Sequence, residues 1–340
     1  MIRLTILTLC LVLTCSSALS QRSPSARDYF QRAVTAYQQG KFDEAMGELD
    51  KAIQLQDEYS NARILRGNLR FIKQNFAGAL ADYNKVIEVA PRDPGIEVVI
   101  NNRGVVRSLL GDFEGALSDS NHAISINAKY ASPYNLRGNL RTASGDLKGA
   151  EEDFSKSISL DPNATDGYIG RAKLLSARGD LRGALADLNR AIEINVNEIP
   201  AYVGRANIHF LNGELDLALS DSDRVLQLYP GHPEVHIERG VIHTLKGQIE
   251  KCIKDIKEGL QLRPDAFDAK LKSPFASPSQ ALEQFMAANP KNARAFEARA
   301  IIRLIQRKKK EADEDFQKAL ALEPGLKNEI DKLIKENQTP

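Results

Sequence analysis

The chain has 340 residues, 27% of them charged, with a formal net charge of +1 and an ordinary 42% hydrophobic content. So small a net charge excludes a strong global field for nucleic acid or an anionic membrane surface. Of its three cysteines two lie within the first fifteen residues, so a chain that loses its start cannot form an internal disulfide.

That start is the one strongly biased segment. Arg3 precedes an uncharged stretch from Leu4 to Cys15, followed by Ser16, Ser17, Ala18, Leu19 and Ser20. The stretch is shorter than the about 20 apolar residues that a membrane span needs. A basic start, a short apolar middle and small residues at Ala18 and Ser20 predict an export signal over residues 1–20, cut before Gln21. A buried first helix fits less well, because no amphipathic period runs through the stretch. Removal takes Arg3, Cys10 and Cys15, which brings the formal charge to zero and leaves Cys252 alone. Cys252 stands where earlier repeats carry Ala184 and Ala218, so it is expected to be a buried small hydrophobe rather than a reactive thiol. The expected location is periplasmic or secreted, with no stable membrane span after signal removal. The alternative is a membrane tether, through an uncleaved signal or a lipidated Cys15 that follows a poorly suited Thr14.

From Gln21 to Asp265 one cassette returns about every 34 residues. Arg66-Gly67 is followed by Ala79, Asp82 and Tyr83; Arg137-Gly138 by Gly145, Ala150, Asp153 and Phe154; Arg205-Ala206 by Gly213, Ala218 and Asp221. Each repeat reads as two helices. Tyr134 to Ala143 has helical spacing, Gly145-Asp146 makes a turn with a cap, and Ala150, Phe154, Ile158 and Leu160 continue the pattern until Asp161-Pro162 stops it. Seven such repeats fill residues 21–265, with a short insertion at Pro91 to Pro94, where Gly67 and Gly104 stand 37 residues apart. Over 266–292 the cassette fails: Pro274 and Pro278 interrupt it, and Ala281, Phe285 and Ala288 remain as a possible second helix. That segment is read as a degenerate repeat or an insertion. An eighth repeat covers 293–324, and 325–340 forms a one-sided capping helix with Leu326, Ile330, Leu333 and Ile334 inward.

These small, turn, Ala, aromatic and Pro sites, with the early aromatics Tyr29, Tyr134, Tyr168 and Tyr202, resemble the tetratricopeptide repeat. The Arg and small-residue cassette is similar to the bacterial branch of that family. The resemblance implies an all-α fold, an α-solenoid in which antiparallel helix pairs form a right-handed superhelix and first helices line a concave face. It also implies a scaffold that binds a protein or peptide.

Three rows of residues could carry function. Arg66, Arg137 and Arg205 each precede by sixteen residues an acid, Asp82, Asp153 and Asp221, which predicts structural pairs across each hairpin. A second row, Arg70, Arg107, Arg141 and Arg303, with His209 and His243 in two repeats, lies one turn further on. One acid cannot fully neutralise both rows, so the second row is a candidate basic stripe for acidic glycan or phosphate. The third row is amide and apolar. Asn68, Asn139 and Asn207, with Asn101, Asn102 and Asn135 nearby and Ile64, Phe71, Val203 and Phe210 beside them, form the candidate partner groove. Asn68 and Asn102 match the amides of the family's carboxylate clamp, but Ile64, Ser132 and Leu136 stand where its cations belong, so no such clamp is expected. His232, His236 and His243 show no metal-ligand spacing, and neither HExxH, GxSxG, a phosphate loop nor CxxC is present. No metal, cofactor or catalysis is therefore expected. Asn163 and Asn337 open two sequons. The reading is an exported scaffold with a protein or peptide partner and no nucleic acid, or else an accessory module of a cell-envelope enzyme complex.

Overall fold

The computed structural model describes residues 23–268 and 277–337. The predicted export signal with Cys10 and Cys15, Pro274 and the end of the Asn337 sequon lie outside the described residues. Among those residues there are eighteen α-helices and one short 3-10 turn, and no strand. The chain forms two compact units, one up to Val106 and one from Arg107 onward.

In the first unit α1 (Ala26–Gln38) pairs with α2 (Phe42–Leu55), and α3 (Ser60–Ile72) with α4 (Phe76–Val89). Helix α5 (Ile96–Leu109) begins in this unit and ends in the second. Its core is built of small and branched residues, among them Ala33, Ala45, Leu49, Ala62 and Leu69. The second unit continues with α6 (Phe113–Ile126) and the pairs α7 (Ser132–Ser144) with α8 (Leu147–Leu160), and α9 (Thr165–Ala177) with α10 (Leu181–Ile194). Then follow α11 (Ile199–Leu211) with α12 (Leu215–Leu228), and α13 (Pro233–Leu245) with α14 (Ile249–Leu262). A lone α15 (Pro278–Ala288) precedes α16 (Ala293–Ile305), which pairs with α17 (Lys309–Leu322), and α18 (Lys327–Asn337) ends the chain. Second helices pack in turn on the next first helix, α6 on α7, α8 on α9, α10 on α11 and α12 on α13. Each unit is thus a stack of helix hairpins, an all-α solenoid arrangement.

The cassette residues make the hairpin. A Cβ added to Gly138 would stand 2.8 Å from the Phe154 ring, and one added to Gly67 would stand 2.7 Å from Tyr83. Only a small residue on the first helix therefore lets the aromatic of the second reach it. At the turn, Asn75, Asp112, Asp146 and Asp180 accept from the backbone N–H three residues on, at 2.9–3.0 Å. Such caps contribute about 1 kcal/mol each. The preceding turn residue takes the left-handed conformation, as at Gly145 with φ of +87°. Two repeats lack the glycine, and Gln74 and Arg307 adopt φ of +58° and +62° in its place. Gln74→Gly and Arg307→Gly are each expected to raise stability by roughly 0.5–1 kcal/mol, since a Cβ is strained in that conformation. Urea midpoints below that of the parent would contradict this.

Helix α15 begins with Pro278 in its first turn and a capping box between Ser277 and Gln280. It packs on the first helices α11, α13 and α16, burying Ala281, Leu282, Phe285 and Met286. A second helix of an ordinary repeat lies between its own first helix and the next; α15 instead crosses the first-helix side of two earlier repeats. Toward α16 it keeps the register of a second helix, with Glu283 sixteen residues before Arg299 and its charge felt there. Leu326, Ile330 and Leu333 bury one side of the terminal segment, while Lys327, Lys332 and Lys335 stay exposed.

Candidate functional site

The arginine rows meet on buried acids. Arg137 donates Nε and Nη2 to the two oxygens of Asp153 at 2.9 and 2.7 Å, and Arg205 does the same to Asp221 at 2.8 and 2.7 Å. Arg66 forks onto Asp82 at 2.9 and 2.6 Å. The remaining Nη1 reaches back sixteen residues to the preceding second helix, to Asp50 from Arg66, Asn121 from Arg137 and Asn189 from Arg205. Each arginine thus binds its own hairpin and the one before it. Hydrogen bonds to the acids, outweighing burial, hold Arg137, Arg171, Arg205 and Arg299 above the ordinary guanidinium range.

The second row uses the same acids. Arg70, Arg107, Arg141 and Arg303 donate Nη1 to Asp82, Asp119, Asp153 and Asp315 at 2.7–3.0 Å. The same nitrogen also meets the backbone carbonyl of Gly78, Gly115, Gly149 or Glu311 at 3.1–3.3 Å. The shared carboxylate accepts all three bonds on its lone pairs, and a second acid offsets the extra charge in two repeats: Asp112 lies 3.5 Å from Arg107 and Asp146 3.5 Å from Arg141. On Asp82, only 1% exposed, Arg63 adds a third guanidinium at 3.4 Å. His209, in the second-row position, meets Glu214 at 2.5 Å instead.

The candidate groove residues fall on both units. In the first, Asn68 accepts from the Tyr83 hydroxyl at 2.7 Å and from the Asn102 amide at 3.5 Å, while Asn101 is buried. Burial, with the Asp82 charge, pushes the Tyr83 phenol up to about 12, so it stays a neutral donor. Ile64 is half-buried, and Phe71 lies edge-on to Phe76 with ring centroids 5.8 Å apart. In the second unit Asn139 is exposed and donates to the Asn135 carbonyl at 3.1 Å. Val203 packs against Val225, Leu226 and Val235.

Two of the groove residues of the second unit are also covered. Phe210 is 1% exposed, its ring 5.0 Å from that of Phe285 on α15. Asn207 is 3% exposed and its amide faces Glu238 on α13. Burial pushes the Glu238 carboxyl up to about 7, opposed by Asn207 and aided by the charge of Glu234. The folded carboxyl is therefore raised above its ordinary 4.5, so its stabilisation is complete below about pH 4.5 and is lost as pH rises through about 7. The loss is on the order of 3 kcal/mol. Glu238→Gln is expected to remove that component, making urea midpoints at about pH 5 and about pH 8 converge relative to the parent; an unchanged gap would contradict it.

Lys173 was not among the candidates. It stands thirty-four residues after Asn139 and thirty-four before Asn207, and that spacing was the signal that could have found it. Burial holds its ammonium below the ordinary lysine range, and it has no ion-pair partner among the described residues. Cys252 is fully buried, receives the Thr244 hydroxyl at 2.8 Å, and has its thiol pushed up to about 12 by burial. No helix among the described residues is long and apolar enough to cross a membrane.

Comparison with known proteins agrees with this geometry. A family model described as tetratricopeptide repeat matches residues 30–95 and 169–233, and a second of the same description matches 131–164. A tetratricopeptide repeat protein from Parabacteroides merdae is similar in structure, with a TM-score of 0.56 and 19% identity over 77% of this chain and 98% of that one. The Cut9–Hcn1 hetero-tetramer of the APC/C is similar with a TM-score of 0.51 and 20% identity, over 87% of this chain and 60% of that one. No curated protein matches the chain. With matched repeats in both units and hairpins stacked as the cassette requires, the chain is built of tetratricopeptide repeats.

Proposed function

We propose that the chain is an exported scaffold that holds a protein or peptide partner on the first-helix faces of its repeats, without chemistry of its own. Tetratricopeptide repeat proteins bind proteins or peptides. The observation that carries the reading is α15: an amphipathic helix, pinned by Leu282, Phe285 and Met286, already lies on the first helices α11 and α13. That side of the hairpins therefore has the shape and apolarity to seat a helix. Away from α15, the exposed Asn139 keeps its side-chain oxygen for a partner's main chain, and the half-buried Lys173, with no ion-pair partner among the described residues, can take an acidic side chain. Against a stripe for acidic glycan or phosphate, each second-row arginine already meets an acid and a carbonyl.

A photo-crosslinking residue at Ile64 or Asn139, in the chain expressed with its own N-terminus, tests the proposal. The expected result is one adduct that persists at high ionic strength, from a protein whose mature N-terminus is Gln21. Loss of the adduct in moderate salt would point to the arginine rows, and no adduct from either position in the folded chain would end the proposal. Lys173→Met is expected to weaken capture about tenfold, the loss of one charge-assisted contact.

A further inference from the structure

The hairpin of α13 and α14 departs from its neighbours at the early aromatic site. Tyr134, Tyr168 and Tyr202 donate their hydroxyls to the carbonyl six residues back, at 3.2, 3.4 and 3.4 Å. His236 takes that place and keeps the bond through Nε2, 2.8 Å from the Pro230 carbonyl. A carbonyl can only accept, so the proton sits on Nε2 and the neutral ring presents a bare Nδ1. The side chain is more than nine-tenths buried, and Nδ1 has no hydrogen-bond partner. Facing it are Glu258 Oε2 at 3.4 Å and Asp255 Oδ1 at 3.9 Å, and one ligand atom from each of the three residues lies within 4.8 Å of the others.

We propose that His236, Asp255 and Glu258 form a binding site for a divalent transition-metal cation of the zinc type. One imidazole nitrogen and two carboxylate oxygens are a ligand set that zinc accepts. Bonds of about 2.0–2.2 Å give tetrahedral edges of about 3.3–3.6 Å. The Nδ1 to Glu258 separation already meets this, the Nδ1 to Asp255 separation is a few tenths of an ångström long, and the two carboxylate oxygens, within 4.8 Å of each other, draw together on the ion. Metal-ligating histidines commonly donate their other ring N–H to a carbonyl or carboxylate, as Nε2 does here to Pro230. Asp255 is oriented by Arg239, which donates Nε to Oδ2 at 2.9 Å and Nη2 to Oδ1 at 2.5 Å, with His243 Nε2 3.5 Å from Oδ2. Arg239 also meets Asp223 at 2.7 Å and Lys254 lies 4.0 Å from Glu258, so three carboxylates against two cations leave a local charge of −1, which favours a cation. A cavity of about 350 Å³, lined by Asp223, Pro230, His236 and Arg239 among others, gives solvent access to the histidine. The other candidate for this position is a proton on Nδ1, shared between the two carboxylates.

The test is titration of the untagged, chelator-treated full chain with Zn²⁺ alone by calorimetry, and with Co²⁺ alone by visible absorption. One cation per chain is expected, with a tetrahedral Co²⁺ spectrum and a raised melting temperature. His236→Tyr restores the residue of the other repeats, with a hydroxyl for the Pro230 carbonyl, so it is expected to fold and to bind at least about tenfold more weakly. Glu258→Gln is expected to do the same, and His232→Gln to bind as the parent does. Binding undiminished in a folded His236→Tyr chain would overturn the site. So would a parent chain that takes up neither cation.

Discussion

Asp153→Ala is expected to lower the stability of the second unit by about 3–5 kcal/mol, because it strands two guanidiniums at once. Asp153 is 3% exposed and accepts the fork of Arg137 and a third bond from Arg141. Water has little access to replace it. Adding Arg137→Leu should recover only part of the loss, since Arg141 then keeps only the exposed Asp146 at 3.5 Å, and adding Arg141→Leu as well should recover most of it. That graded recovery follows because replacing a whole buried ion cluster by apolar residues is often nearly neutral. Hydrogen exchange at α7 and α8, together with urea midpoints, would measure it, since a repeat array can open locally. Equal midpoints for the single and triple variants would show that the three residues do not act as one cluster.

Phe285→Ala is expected to cost about 3–5 kcal/mol in the docking of α15, through lost burial and the cavity left beside Phe210. Phe285 belongs to the apolar cluster that joins Phe210, Ile237 and Val241 to Leu282 and Met286. Exchange across Pro278–Ala288 should accelerate, while α7 to α10, which share no side chain with that cluster, keep their protection. A partner that competes for the α11 and α13 faces would then bind the variant more tightly than the parent. Unchanged exchange in α15 would mean that other contacts hold it.

Much of this architecture could be read from the residues, because the packing itself sets their spacing. Gly138 is small because Phe154 touches it, Gly145 is a glycine because its φ is positive, and Arg137 stands sixteen before Asp153 because that offset spans a hairpin. What the pattern could not carry were features settled by tertiary placement. The stop before α15 and its capping box are local, but its seat on α11 and α13 depends on helices that begin 79 and 45 residues earlier. Phe210 therefore reads as a groove residue and is in fact covered. His236 and Glu258 stand on different helices at an offset that matches no ligand motif, and only the packing of α13 on α14 puts them 3.4 Å apart. The second arginine row reads as unpaired only when one acid per repeat is counted; the turn caps Asp112 and Asp146 stand 3.5 Å from Arg107 and Arg141 respectively.

The backward reach of each arginine bears on how such a chain can change length. Sixteen residues before Arg66, Arg137, Arg171, Arg205 and Arg239 stands an oxygen-bearing side chain: Asp50, Asn121, Ser155, Asn189 and Asp223. Excision of residues 165–198 would bring Ser155 to that offset from Arg205, so the guanidinium would find a substitute acceptor at the new seam. Loss or duplication of one complete hairpin therefore leaves no orphaned cation at the joint, which makes the whole hairpin the easiest unit for this chain to gain or lose.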